Sequence, residues 1–472
     1  MSSWHVRGGA VRPARRSPLD SGESFLSFTE QNRFYGSKRG FDPPLQPMKT
    51  VKPRIVVVTP NFPIPEEPYR GRPVYETVRR LALLADVKVL CPVATYPTPS
   101  SLHPRTYRYY PAPQSDFSLP GVEVEYFEYP VFPYFSRPIN GRVCRQHLMP
   151  LLRREQPQLV LAYWLYPVGY AAVTAAELLG VPAVVVGRGS DVCRIDGIVT
   201  RELTKHALSR ASFVITVSDE IRRRTIQMGA RPSLTKTVRN GCDLSVFYPT
   251  PTEDARANFG IPKDSELILF VGRLVALKGV RELLAAFEVL AAKRERLQLV
   301  LTGEGFLEAE ISSFLHRTGL RDRVRVVSPC GPHEVAQWIN AADLVCLPSH
   351  SEGCPNTIIE SLACGRPVVA TTVGGIPELV HGGNGILVPP ADVPSLTQAL
   401  NTALDTTWDS AAISHGCHRT WHEVAQETLS ICEGVLASSR QTDSSPIFDA
   451  EDDTEDAILA PAGGSRIATN SF

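Results

Sequence analysis

The chain has 472 residues, too many for one hydrophobic core, and at roughly 150 residues per domain it suggests about three units. Its 49 Lys and Arg balance 49 Asp and Glu, and this formal charge of zero argues against nucleic acid as the main partner. With 43% apolar and 21% charged residues it reads as a globular protein, which excludes a wholly disordered chain and a disulfide-stapled miniature.

Residues 1–50 are rich in Ser, Arg, Gly and Pro and lack sustained periodicity, so a disordered arm is expected there. Arg7, Arg12, Arg15 and Arg16 make it basic, but no apolar segment follows and it is not a secretory signal. The run RIVVVTP at 54–60 predicts a strand ending in a loop, 74–85 a helix, and 87–91 the next strand. Residues 97–120 are too punctuated by Pro and Tyr for regular structure. The tyrosines between Tyr107 and Tyr134 either line an acceptor groove or pack a long loop. Strands at 159–164, 183–186 and 213–217 continue the series, with helical segments between them.

A second series follows Asn240-Gly241 and the polar segment near 249–251, with strands at 267–271, 297–301, 324–327, 344–347, 368–371 and 386–388. Each is short, apolar and β-branched, as strands buried on both faces should be. Alternating strands and helices predict an α/β protein of two doubly wound, mostly parallel sheets facing each other. In such sheets ligands bind beyond the carboxyl ends of the strands. Asp449, Glu451, Asp452, Asp453, Glu455 and Asp456 make the last stretch, 439–472, an acidic tail expected to be disordered. The ten cysteines form no CxxC pair, and Cys91 and Cys346 sit in strand-like runs, a pattern that suits buried thiols in a cytoplasmic enzyme. No apolar stretch approaches the roughly 18 residues of a membrane-spanning helix.

The loops of the second series carry the chemistry. Gly272-Arg273 and Lys278-Gly279 bracket a tight loop before a helix at 280–293, either a cradle for a diphosphate or two solvated surface charges. The GEG at 303–305 lacks the third glycine of a dinucleotide fingerprint and reads as a turn. Glu352 lies in the loop at 348–356, and Glu360 lies inside the helix at 357–364 that Pro355 opens and Gly365 closes. Both carboxylates could accept hydrogen bonds from vicinal sugar hydroxyls, or be surface charges. Gly374-Gly375, before Ile376-Pro377-Glu378, suggests backbone N–H groups left open to an anion or a sugar. His415, His418 and His422 have spacings that could align metal ligands on a helix, but Trp421 begins the final helix and His415 and His418 fall in the approach to it, so no metal site is expected there.

Together, Glu352-x7-Glu360, GRLxxxKG at 272–279, GEG, NGCD at 240–243 and GGIPE at 374–378 resemble the GT4 family of retaining glycosyltransferases, over residues 54–438. WLYPVGYAA at 164–172 and RGSD at 188–191 are similar to bacterial enzymes of polysaccharide assembly such as the teichuronic acid transferases. The resemblance implies a GT-B fold. An acceptor-side domain would span 51–243, a nucleotide-sugar domain 244–413, and a crossover helix 414–438 would return to the first. It implies that Arg273 and Lys278 bind the donor's diphosphate beside Gly272, and that Glu360 binds the ribose. Glu352 would lie at the transferred sugar, with Gly353, Cys354, Pro355 and Asn356 supplying contacts there. Gly71 aligns with the family's glycine loop, where Arg72 replaces the usual second glycine.

Arg188 stands where many members place a histidine. An arginine is no general base at neutral pH, so Arg188 and Asp191 are assigned to the acceptor side or to a buried pair. The implied reaction moves a sugar from a UDP- or GDP-sugar to a hydroxyl of a glycan or lipid-linked acceptor with retention. It uses no metal, and Arg273, Lys278 and Glu352 form the catalytic set. A lipid-linked acceptor would bring the enzyme to the inner face of a membrane, with which the basic arm is compatible. The alternatives are an epimerase or hydrolase on the same fold and a non-catalytic donor-binding subunit. A nicotinamide dehydrogenase is excluded because no complete GxGxxG follows a first strand.

Overall fold

A computed structural model of the chain describes residues 52–96, 111–113, 117–131, 137–195 and 197–443. The arm expected at 1–50, most of the Pro/Tyr stretch with Tyr107 and Tyr134, and the acidic tail from 444 onward lie outside the described residues.

The first sheet holds β1 (Arg54–Val58), β2 (Asp86–Thr95), β3 (Glu123–Pro130), β4 (Leu159–Tyr163), β5 (Ala183–Gly187), β6 (Phe213–Thr216) and β7 (Thr235–Thr237) in the order β3-β2-β1-β4-β5-β6-β7. The second holds β8 (Glu266–Val271), β9 (Leu297–Thr302), β10 (Val324–Val327), β11 (Leu344–Leu347), β12 (Val368–Thr371) and β13 (Gly385–Val388) in the order β10-β9-β8-β11-β12-β13. Every strand pairing in both sheets is parallel. Parallel neighbours need crossover connections, so helices cover both faces. Those serving the first sheet are α1 (Arg72–Leu84), α2 (Asn140–Glu155), α3 (Tyr170–Leu179), α4 (Ser190–Cys193), α5 (Ile198–Arg210) and α6 (Asp219–Gln227). Then follow α7 (Thr252–Phe259), α8 (Val280–Ala291), α9 (Glu308–Thr318), α10 (Pro332–Ala341), α11 (Asn356–Ala363), α12 (Val393–Asp405), α13 (Ser410–His415) and α14 (Trp421–Asp443).

The two-residue period of β1 sorts its side chains. Val56 and Val58 pack with Cys144, Leu148 and Leu152 of α2 and with the alanines of α3. Ile55 and Val57 face the other way, onto Val74, Val78 and Leu81 of α1. That second layer is completed by Trp421, Val424, Ala425, Cys432 and Val435 of α14. A helix that follows the second sheet in the chain therefore packs on the first, and it continues to Asp443, past the 438 boundary expected for it.

Two strands went unforeseen. β3 reads EVEYFEYP, where glutamates interrupt the apolar pattern, and β7 has only three residues. Both sit at the edges of their sheet, where a strand is buried on fewer sides. Tyr126 and Tyr129, two of the tyrosines considered for an acceptor groove, lie on β3, where the Tyr126 hydroxyl donates to the Pro63 carbonyl and Tyr129 joins the core. Among the described residues no helix is long and apolar enough to cross a membrane.

Candidate active site

The residues picked out from sequence follow the carboxyl ends of the strands. After β8, the Gly272 N–H donates to Thr302 O at 2.9 Å and the Leu274 N–H to Glu304 O at 2.8 Å, so the GEG turn braces this loop. A 3₁₀ turn, Ala276–Lys278, then leads into α8, whose first turn has no side-chain cap. Its N–H groups are thus available beside Lys278. Lys278 Nζ lies 2.5 Å from Glu352 Oε1, and Ser349 Oγ donates to the same oxygen at 2.7 Å. Arg273 is exposed and, among the described residues, makes no ion pair. The structure thus brings Lys278 to Glu352 and leaves the exposed Arg273 outside that ion pair.

Pro355 is the N-cap of α11 and Asn356 its first residue. Thr357 Oγ1 donates to Val271 O at 3.2 Å, tying this helix to the end of β8. One turn on, Glu360 is buried, and burial pushes its carboxyl above the usual range while Arg72 draws it down. Arg72 Nη1 lies 3.3 Å from Glu360 Oε1. Gly71 explains how Arg72 reaches it. Its φ is +62° and a Cβ there would strike the Asn61 carbonyl, so only glycine makes this turn and α1 starts directly at Arg72. The position expected to be a second glycine holds a cation engaged with the opposite half of the molecule.

Asp191 is part of the scaffold. Its Oδ1 accepts from the N–H groups of Arg188 and Gly189, each at 2.9 Å, and its Oδ2 from the Leu165 N–H at 3.0 Å. Burial raises its pKa and these backbone bonds oppose the rise. The Arg188 guanidinium turns elsewhere, to Asn240 Oδ1 at 3.0 Å, so the two side chains do not form the buried pair that sequence left open. Burial lowers the pKa of Arg188. Asn240 Nδ2 donates onward to Asn356 Oδ1 at 2.7 Å and to Cys354 O at 3.0 Å. A chain of hydrogen bonds thus crosses from the end of β5 to the start of α11. Alongside it, a Cβ on Gly189 would strike Gly353 and one on Gly353 would strike the Arg188 carbonyl, so the two halves meet backbone to backbone.

Of the two glycines at 374 and 375, the second does not present the open donor expected of it. The Gly375 N–H donates to Gly353 O at 2.9 Å and the Ile376 N–H to Val373 O at 3.1 Å. His415 and His418 use Nδ1 in contacts with the carbonyls of Ala411 and His415. Three residues given no role from sequence, Arg72, Asn240 and Glu378, bridge the halves. The first was detectable only as a departure from the glycine pair.

Residues 71–246 match the model of "Glycosyltransferase Family 4" and residues 265–406 that of "Glycosyl transferases group 1". The chain is 32% identical over 295 residues to the D-inositol 3-phosphate glycosyltransferase of Xylanimonas cellulosilytica, covering 57% of this chain and 70% of that protein. It is 29% identical over 362 residues to TuaC of Bacillus subtilis, a glycosyltransferase named for teichuronic acid biosynthesis, covering 74% and 88%. It spans less of some other relatives: 60% of D-inositol 3-phosphate glycosyltransferase 1 of Catenulispora acidiphila, at 32% identity over 48% of this chain. Among solved structures, Anabaena HepE in complex with UDP superposes with a TM-score of 0.62 at 20% identity, over 81% of this chain and 100% of that one. Sucrose-phosphate synthase of Thermosynechococcus elongatus gives 0.63 at 19%, over 82% and 100%. These two share the fold of paired Rossmann-like domains, and on the family models and the Xylanimonas relative together the chain belongs to glycosyltransferase family 4.

Proposed function

We propose that the protein transfers a glycosyl group from a UDP- or GDP-sugar to a hydroxyl of a glycan or lipid-linked acceptor, with retention at the anomeric carbon. The observation that supports this best is the meeting of Lys278 with Glu352, 2.5 Å apart, beside the uncapped start of α8. Positive charge and backbone donors converge there on a place where a diphosphate would sit. In this reading Arg273 and Lys278 carry the charge that develops on the leaving diphosphate, with Gly71 and Gly272 allowing its close approach. Glu352 and the backbone from Gly353 to Asn356 hold the sugar, and Glu360 takes the ribose hydroxyls. The departing phosphate oxygen receives the acceptor's proton on the face it leaves, so neither a protein nucleophile nor a metal is needed. Arg188, half-buried and cationic, lies on the acceptor side and adds positive potential. Asp191 fixes the turn that carries it.

The test is release of nucleoside diphosphate from a panel of UDP- and GDP-sugars, with and without a lipid-linked oligosaccharide extract. UDP-sugars come first, because UDP is the nucleotide bound in the HepE structure. Acceptor-dependent release is expected, with Arg273→Ala lowering turnover on the order of 10²–10³-fold. Release that ignores the acceptor would favour a hydrolase or epimerase. Tight nucleotide binding without release would favour a non-catalytic subunit.

A further inference from the structure

We propose that Arg72 is a positioning residue for the donor: presented by the turn at Gly71, its guanidinium keeps Glu360 an ionised acceptor for the ribose hydroxyls. The proposal rests on the assignment of Glu360 to the ribose. Arg72 and Glu360 belong to opposite halves of the molecule, 288 residues apart in the chain. Their side chains are only 19% and 11% exposed. The Arg72 guanidinium also lies 5.4 Å from the ring centroid of Phe247, a fully buried residue, so packing and charge hold it in one place. Arg72 occupies Oε1, and Oε2 is the oxygen we assign to the ribose.

The surroundings of Glu360 leave the task to Arg72. From α1 it also faces Glu76, a like charge that raises its pKa. Glu76 is itself engaged by Arg79 and Arg80, and those two reach Asp243 at 3.6 and 3.5 Å. The other titratable groups facing Glu360 are the thiols of Cys242 after β7 and Cys364 at the end of α11, and beside them lies Cys417, between α13 and α14, whose thiol contacts the Ile359 carbonyl. Burial pushes Cys242 up, Cys364 to about 12 and Cys417 to about 11, so all three are neutral at ordinary pH. Among the described residues Arg72 is the cation that opposes the burial of Glu360. A charged acceptor binds hydroxyls about twice as strongly as a neutral one. Without Arg72, Glu360 would take up a proton at a higher pH, and nucleotide affinity would fall at the acid end of the range.

Affinity for UDP and GDP, measured by calorimetry on the full chain from about pH 6 to about pH 9, reads this out. Arg72→Gln should weaken binding at pH 6 by up to about tenfold for each unit by which the Glu360 titration comes to lie above that pH, and the deficit should close toward pH 9. Arg72→Lys, which keeps the charge, should restore most of the acid-end affinity. A deficit for Arg72→Gln that is the same at every pH, or no deficit, would overturn the proposal. So would failure of Arg72→Lys to rescue. Glu360→Gln separates the two levels of the argument, since it has no carboxyl to titrate. If it weakens binding at every pH while Arg72→Gln behaves as wild type, the ribose assignment stands and the role of Arg72 falls. If Glu360→Gln binds UDP and GDP as wild type does, the ribose assignment itself fails.

Discussion

Glu378 and Glu220 stand on opposite halves of the molecule, and the carboxylate of the first accepts the backbone N–H of the second at 3.0 Å. The other carboxylate oxygen takes the Asp219 N–H at 3.1 Å and an ion pair from Arg239 at 3.0 Å. Two of the donors left free at the start of α6 are therefore satisfied from outside the helix's own half, while Ser218 Oγ accepts from the Ile221 N–H at 3.3 Å. The negative charge also lies at the positive end of the helix dipole. Through Gly375, which donates to Gly353 O, this clasp extends to the loop that carries Glu352.

Glu378→Ala should therefore cost stability and loosen that loop. A lost cap is worth about 0.5–2 kcal/mol, to be read as a lower thermal midpoint together with faster hydrogen exchange at the Asp219 and Glu220 amides. Glu378→Gln keeps one acceptor oxygen and should fall between wild type and alanine. An unchanged exchange rate at both amides in Glu378→Ala would show that the clasp does not persist in solution.

Lys278 and Glu352 should separate a structural role from a chemical one. Their side chains are 19% and 9% exposed, so Lys278→Met leaves a nearly buried carboxylate with Ser349 as its remaining partner. Breaking a buried pair from one side costs about 3–5 kcal/mol. The double variant Lys278→Met/Glu352→Gln removes both charges and should recover most of that stability, as a urea midpoint near wild type. Turnover should stay low in both variants, because the cation we propose to face the leaving group is gone. Recovery of turnover in the double variant would mean that Lys278 serves only to neutralise Glu352.

The parts of the fold legible in sequence are those where burial on both faces writes an apolar, β-branched run. β10, β11 and β12 were expected with the boundaries they have. β3 was not, because glutamates break its pattern, nor was β7, too short to carry one. The loops holding Lys278 and Glu352 were legible as motifs. Their ion pair was not, since it spans 74 residues of chain and depends on two loops meeting at one sheet end. The bonded N–H of Gly375 was not legible for a related reason: a free N–H in sequence is an assumption about tertiary structure, and Gly353 O supplies the partner. Glu378 reaches a helix more than 150 residues upstream, beyond anything local pattern encodes.

Asp191 tests a carboxylate that serves the backbone. Two oxygens receive three N–H donors from Leu165, Arg188 and Gly189. Asparagine offers one oxygen, so Asp191→Asn turns an amide N–H against at least one of these donors and should cost about 1–3 kcal/mol. Burial raises the Asp191 pKa in the fold. A carboxyl whose pKa is raised by folding binds its proton more readily folded than unfolded, so its contribution to stability declines as pH climbs through the interval between the two values. The loss caused by Asp191→Asn should therefore be largest below that interval and smaller above it. A deficit that grows with pH would show that the backbone donors outweigh burial.

Among the described glycines, Gly353 is the one where an added Cβ would come nearest the opposite half, 2.1 Å from the Arg188 carbonyl oxygen. A methyl group there would meet the Arg188 carbonyl and the Gly189 Cα, both of them backbone, which cannot step aside as a flexible side chain can. The residue is at the centre of the site, after Glu352 and bonded through its carbonyl to Gly375. Gly353→Ala should thus push the two sheets apart without harming either, because each keeps its own core. Overpacking of this kind costs about 1–3 kcal/mol, which here falls on the approach of the halves rather than on the fold of each. The expected result is a thermal midpoint near wild type, a fall in kcat/KM of about tenfold or more, and a larger radius of gyration by small-angle scattering. Full activity in Gly353→Ala would mean that the backbone contact between Gly189 and Gly353 is not needed in the reacting arrangement.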